Sequence, residues 1–85
     1  MNTQQDNILK QLDETYIKIT LLESEIEHLE QHLIQLDLLP TTLANTANRK
    51  EIIKTLDEYK IDYILTSDLR THLLNKLELL TLEGV

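Results

Sequence analysis

Cysteine, phenylalanine and tryptophan are absent from this 85-residue chain, and glycine, proline and valine each occur once. Without cysteine there are no disulfides to staple a small core, and the composition suits a reducing, intracellular setting. One proline and one glycine cannot punctuate the many turns of a β-sandwich or barrel. The same shortage removes any Gly-rich phosphate loop, since Gly84 is the single glycine. No apolar run approaches the length that spans a bilayer. The first seven residues, Met1 to Asn7, carry neither a basic nor an apolar block, so no secretory signal is read there. They read instead as a disordered polar tail over 1–7.

What the chain does have is leucine and acid. Leucine, a strong helix former, far outnumbers isoleucine and valine, which leans the chain to helix. Net charge is −7, and the acid excess lies mainly before Pro40, where Lys10 and Lys18 stand alone among the bases. No basic stripe exists for phosphates, so neither nucleic acid nor an anionic membrane surface is expected as a partner. A chain this short buries a modest core and often needs a partner to be stable.

From Ile8 the apolar positions step by four and three without a fault: Ile8, Leu12, Thr15, Ile19, Leu22, Ile26, Leu29, Leu33, Leu36. That is a heptad seam, with Leu12, Ile19, Ile26 and Leu33 at a and the others at d. It predicts one long amphipathic helix over 8–39, ended by Pro40, whose ring pushes the preceding residue out of the α region. Leu9, Tyr16, Ile17 and Leu21 widen the seam at its start, and Ile34, Leu38 and Leu39 at its end. Such widening suits a bundle better than a bare two-stranded coil.

Residues 40–48, rich in Thr and Asn, read as a loop. Asn48 followed by Glu51 resembles a capping box, so a second helix is expected from Arg49 to about Tyr59, with Ile52, Ile53, Leu56 and Tyr59 inward. The bases Arg49, Lys50 and Lys54 oppose the macrodipole in its first turns; the acids Glu23, Glu25, Glu27 and Glu30 are candidate partners for them, against simple solvation. Residues 60–65 are ambiguous between helix and extended chain. Thr66 or Ser67 before Asp68 is a further N-cap signal, which predicts a third helix from about Asp68 to Leu82 with Leu69, Leu73, Leu77 and Leu80 on one face and Gly84 as its C-cap. Residues 49–85 are thus expected to form a two-helix segment that packs back on the first helix or onto a partner.

Chemistry is sparse. His28 and His32 stand four apart and share a helix face, the spacing of a metal pair, but Leu29 follows His28 where a zincin motif has Glu. They read as residues flanking the seam. Neighbouring acids such as Asp13-Glu14 and Asp57-Glu58 diverge on a helix and read as solvated surface. No catalytic residue, metal, cofactor or small-molecule substrate is therefore expected, and the chain is not read as an enzyme.

Two short stretches are similar to known families. Ile61 to Arg70 looks like a strand-to-helix segment of histidine phosphatases, but the Arg-His-Gly that family needs is missing and the chain is too short for its sheet. Arg49 to Asp57 is similar to the last helix of chaperone-binding BAG domains, with Asp57 where that family has Gln and a further helix expected after it. No residue is carried over from either.

The expected fold is all-α: a long coiled-coil-like helix followed by two shorter ones, in a helical hairpin or bundle, expected to be oligomeric on this reading of its seam. The expected function is that of a non-catalytic protein–protein interaction or assembly subunit, intracellular, in cytoplasm or nucleus, whose partner is another protein chain in a homo- or hetero-oligomer. Its expected interface comprises Leu12, Ile19, Leu22, Ile26, Leu29, Leu33 and Leu36 with Leu69, Leu73, Leu77 and Leu80. Ile at a with Leu at d favours parallel pairing, while the acid excess leaves room for a basic partner. The alternative is a monomeric three-helix binding module that docks a partner helix.

Overall fold

The computed structural model describes residues 3–83, and in it two helices account for nearly all of the chain: α1 (Thr3–Asp37) and α2 (Leu43–Glu83). No strand occurs among the described residues. The helices lie antiparallel, as their cross-links require: Arg49 reaches Asp37 near the turn, and Lys18 reaches Asp62 farther along. The result is a rod of 64 × 15 × 14 Å. Its radius of gyration is 19.0 Å, against about 12 Å for a compact domain of this length.

The expected three helices are therefore two. Helix α2 runs without a break through 60–65 and through Thr66, Ser67 and Asp68, where a new start was expected. Thr66 does not cap anything. It is buried in mid-helix, and its hydroxyl donates to the Asp62 carbonyl one turn back, at 2.7 Å. A threonine's bond to the carbonyl four residues before it is compatible with an unbroken helix, so cap-type residues alone did not mark an end. The seam shows why: Ile52, Leu56, Tyr59, Tyr63, Thr66, Arg70, Leu73, Leu77 and Leu80 keep the four-three rhythm throughout.

Helix α2 also starts earlier than Arg49. Thr42 is its N-cap: the Asn45 amide donates to Thr42 Oγ1 at 3.1 Å, and the Thr46 amide donates to the Thr42 carbonyl at 2.9 Å. The Asn45 side chain reaches back to the Pro40 carbonyl at 2.8 Å and ties the turn to the new helix. Asn48 thus sits within the helix. The Thr and Asn residues of 43–48 form no loop because Leu43, Ala44 and Ala47 among them favour helix and neither Gly nor Pro interrupts. At the other end, α1 closes in tight turns, with the Leu38 amide on the Gln35 carbonyl and the Leu39 amide on the Leu36 carbonyl. The connection is short, Leu38 to Thr42, and Pro40 lies in it as expected. Residues 3–7, expected as part of a disordered tail, belong to α1. The cap expected at Gly84 lies outside the described residues.

The core is a single seam between two helices. Ile8, Leu22, Leu56 and Leu73 are its buried apolar side chains, and none is wholly cut off from solvent. Two helices can cover each other on one side only, which is why the remaining apolar seam residues are half-buried.

Candidate functional site

The leucines expected to face another chain face α2 instead. Leu22 is buried, and Leu12, Ile19, Ile26, Leu29, Leu33 and Leu36 are half-buried along the same stripe of α1. On α2, Leu73 is buried, Leu77 and Leu80 are half-buried, and Leu69 is exposed. The pairing inside the chain is antiparallel, whereas the Ile-at-a, Leu-at-d pattern favours parallel strands. That preference was measured for separate chains; a short turn after α1 forces the second helix back along the first.

A polar layer interrupts the seam. Thr15 and Thr66 are both buried and line the same cleft, with Lys18 and Leu69 beside them. Each hydroxyl is satisfied within its own helix: Thr15 Oγ1 donates to the Leu12 carbonyl at 2.8 Å, as Thr66 does to Asp62. No buried side-chain polar atom among the described residues lacks a partner.

Across the seam, charge pairs run along both long edges. Lys18 Nζ lies 3.1 Å from Asp62 on one edge, and Lys60 Nζ lies 3.3 Å from Glu30 on the other. Tyr63 donates its hydroxyl to Glu23 at 3.1 Å on that second edge. Arg49 pairs with Asp37, not with the Glu23–Glu30 cluster; that cluster instead takes Lys60 and Tyr63. All these groups are substantially exposed, so each pair stabilises weakly.

His28 and His32 are exposed, with Gln31 and Gln35 around them. Among the described residues no group of three or more His, Asp or Glu side chains is placed to share a metal ion. The clefts are shallow furrows between the helices, lined by seam residues and their charged neighbours.

The most extensive feature is apolar exposure. Among the described residues, sixteen large hydrophobic side chains are exposed, against four that are buried. On α2 they point in every direction away from the seam: Ile53 and Leu74 to one edge, Ile61 and Leu82 straight out, Leu65 and Leu79 to the other edge. The sequence signal for this was the widened seam of the first helix and the two-sided apolar pattern at the C-terminal end. Tyr63 and Thr66 were missed as seam members; the four-three count carried on from Leu56 would have found them.

No helix among the described residues is long and apolar enough to cross a membrane. No family model, curated protein or solved structure matches the chain.

Proposed function

We propose that this chain is a non-catalytic assembly subunit: a rod-like helical hairpin that takes its place beside the helices of another protein chain. The observation that carries the reading is the imbalance, among the described residues, between sixteen exposed and four buried large apolar side chains. Single exposed leucines are ordinary on any surface. Here nine of them stand on all the outer faces of α2, between its charged residues, and exposed apolar surface of that extent marks a protein contact. A hairpin with one seam supplies only one of the neighbours α2 is built for. Neither a metal, a cofactor nor a small-molecule substrate belongs to this reading, and the surface it calls on is set by the exposed faces rather than by the leucine seam.

The test is the size of the native protein. In gentle extracts of the cells that make it, the chain is expected to run in gel filtration well above its own 9.9 kDa, and cross-linking is expected to join it to a second polypeptide. A chain that remains a lone, fully folded rod in the extract and in pure form, with the same melting temperature at all concentrations, overturns the reading.

A further inference from the structure

One long edge of the rod has the chemistry of a groove for a third helix. Label the seam positions a and d in both helices, so that Leu12 and Leu56 are a and Ile8 and Ile52 are d. In an antiparallel pair, the e positions of the two helices then meet on one edge and the g positions on the other. The ion pairs obey this frame: Lys60 and Glu30 are both e, and Lys18 and Asp62 are both g.

On the e edge, between the open end and Lys60, the groove floor is built from Leu9, Tyr16 and Glu23 of α1 and from Ser67, Leu74 and Thr81 of α2. The flanking b positions form its walls. One wall position is apolar, Ile64, four are acidic, Asp6, Asp13, Glu27 and Glu78, and two are threonines, Thr20 and Thr71. Leu9, Tyr16, Ile64 and Leu74 are 49%, 65%, 58% and 41% exposed, so the floor is uncovered along its length. Leu9 and Tyr16 are seven residues apart, and so are Ser67 and Leu74. The floor therefore repeats about every 10 Å, one heptad, at 1.5 Å per residue. Among the described residues, Asp13, Glu27 and Glu78 make no ion pair.

We infer that this edge receives a basic amphipathic helix from another protein, which lays a heptad apolar stripe on the Leu9–Tyr16–Leu74 floor and sets lysines or arginines against the Asp13, Glu27 and Glu78 walls. The inference rests on the assembly reading above and gives it a face and a partner chemistry. Charge decides the occupant. A second copy would bring the same acidic walls and a net charge of −7 against this edge, so like charges would meet at close range. A basic helix gains from both floor and walls. The opposite edge also exposes leucines, Leu21, Leu65, Leu69 and Leu79, but its floor toward the open end carries Gln11, Lys18 and Lys76, which are polar and, at the two lysines, would repel a basic helix.

The experiment uses the full chain and two synthetic helical peptides of roughly three heptads, both with leucine at a and d. One carries lysine at e and g, the other glutamate. Binding is followed by fluorescence anisotropy, and the contact surface is mapped by amide chemical shifts. The lysine peptide is expected to bind at least about tenfold tighter than the glutamate peptide and to shift residues around Tyr16, Ile64 and Leu74. The double substitution Asp13→Lys with Glu78→Lys is expected to weaken it by about tenfold or more. The charge-matched control, Glu14→Lys with Glu58→Lys on the opposite edge, is expected to change binding less than about threefold.

Equal loss in both double variants means general charge attraction and overturns the groove. So does equal affinity for the two peptides, absence of binding at about 100 µM, shifts confined to the other edge, or a homodimer of the pure chain that covers Tyr16. None of these outcomes bears on the size of the native complex, so the assembly reading stands or falls separately.

Discussion

Replacing Thr15 or Thr66 with valine is expected to make the protein more stable, and the size of the gain follows from the geometry. Both residues are nearly sealed from water, at 6% and 5% exposure, and both hydroxyls bond to a carbonyl of their own helix, which also receives a backbone amide in the helical ladder. Valine has the same branched shape, so helix propensity and rotamer freedom change little. The exchange gives up a hydrogen bond whose net worth, with desolvation of the hydroxyl already counted, is about 0.5–1.5 kcal/mol; because the carbonyl is already engaged, no acceptor is stranded and the low end applies. It adds a buried methyl group of about 0.8 kcal/mol. Each substitution should thus stabilise by about 0.3 kcal/mol, or about 1–2 °C in Tm for a domain of this size. The pair should not add simply, because both residues line one cleft. Urea and thermal melts of the two single variants and the double variant, followed by circular dichroism, measure this directly. Thr20→Val is the control: its hydroxyl makes the same bond, to the Tyr16 carbonyl at 2.9 Å, but on an exposed surface, so a change within about 0.5 kcal/mol is expected. If Thr15→Val and Thr66→Val each destabilise by about 1 kcal/mol or more, the hydroxyls are holding the register and the reasoning fails.

Leu22→Ala and Leu56→Ala each empty a buried seam position and should cost about 2–5 kcal/mol, enough to unfold much of an isolated hairpin in a melt at room temperature. Ser67→Pro should break α2 in its middle and cost about 3 kcal/mol or more; a variant with unchanged helicity and Tm would restore the reading of two separate helices there. Thr42→Ala removes the cap that the Asn45 amide uses and should cost about 1 kcal/mol, with faster amide exchange confined to the first turn of α2. A double-mutant cycle on Lys18 and Asp62, both about half exposed, should give a coupling below about 1 kcal/mol that fades as salt is raised.

The first helix was legible because its apolar residues keep a heptad step for thirty residues with one polar exception, Thr15. Periodicity of that length outweighs local doubts. The second was cut in two by reasoning from punctuation. Thr, Ser, Asp and Asn at 41–48 and 66–68 resemble caps, but a cap residue ends a helix only when the backbone around it departs from helical geometry, and the seam rhythm gave no cause for that here. Arg70, at a seam position yet exposed, and the buried Thr66 hid the rhythm from a search for apolar residues. The docking edge was half-legible. Widening at Leu9 and Tyr16 was visible from the start, but its alignment with Ile64 and Leu74 depends on which helix α1 pairs with and in which direction. That information lies in the turn after Asp37, not in the periodicity of either helix.

The turn also sets the order in which the molecule assembles. Arg49 and Asp37, beside it, are separated by 12 residues of chain, whereas Tyr63 and Glu23 are separated by 40. Closing the shorter loop costs less entropy, so the hairpin should zip from Pro40 outward and fray from the opposite end. The Leu9–Tyr16–Leu74 floor lies towards that fraying end, where the last contacts form and the first are lost. A helix settling there would act as a clasp on the zipper, slowing its opening far more than it speeds its closing.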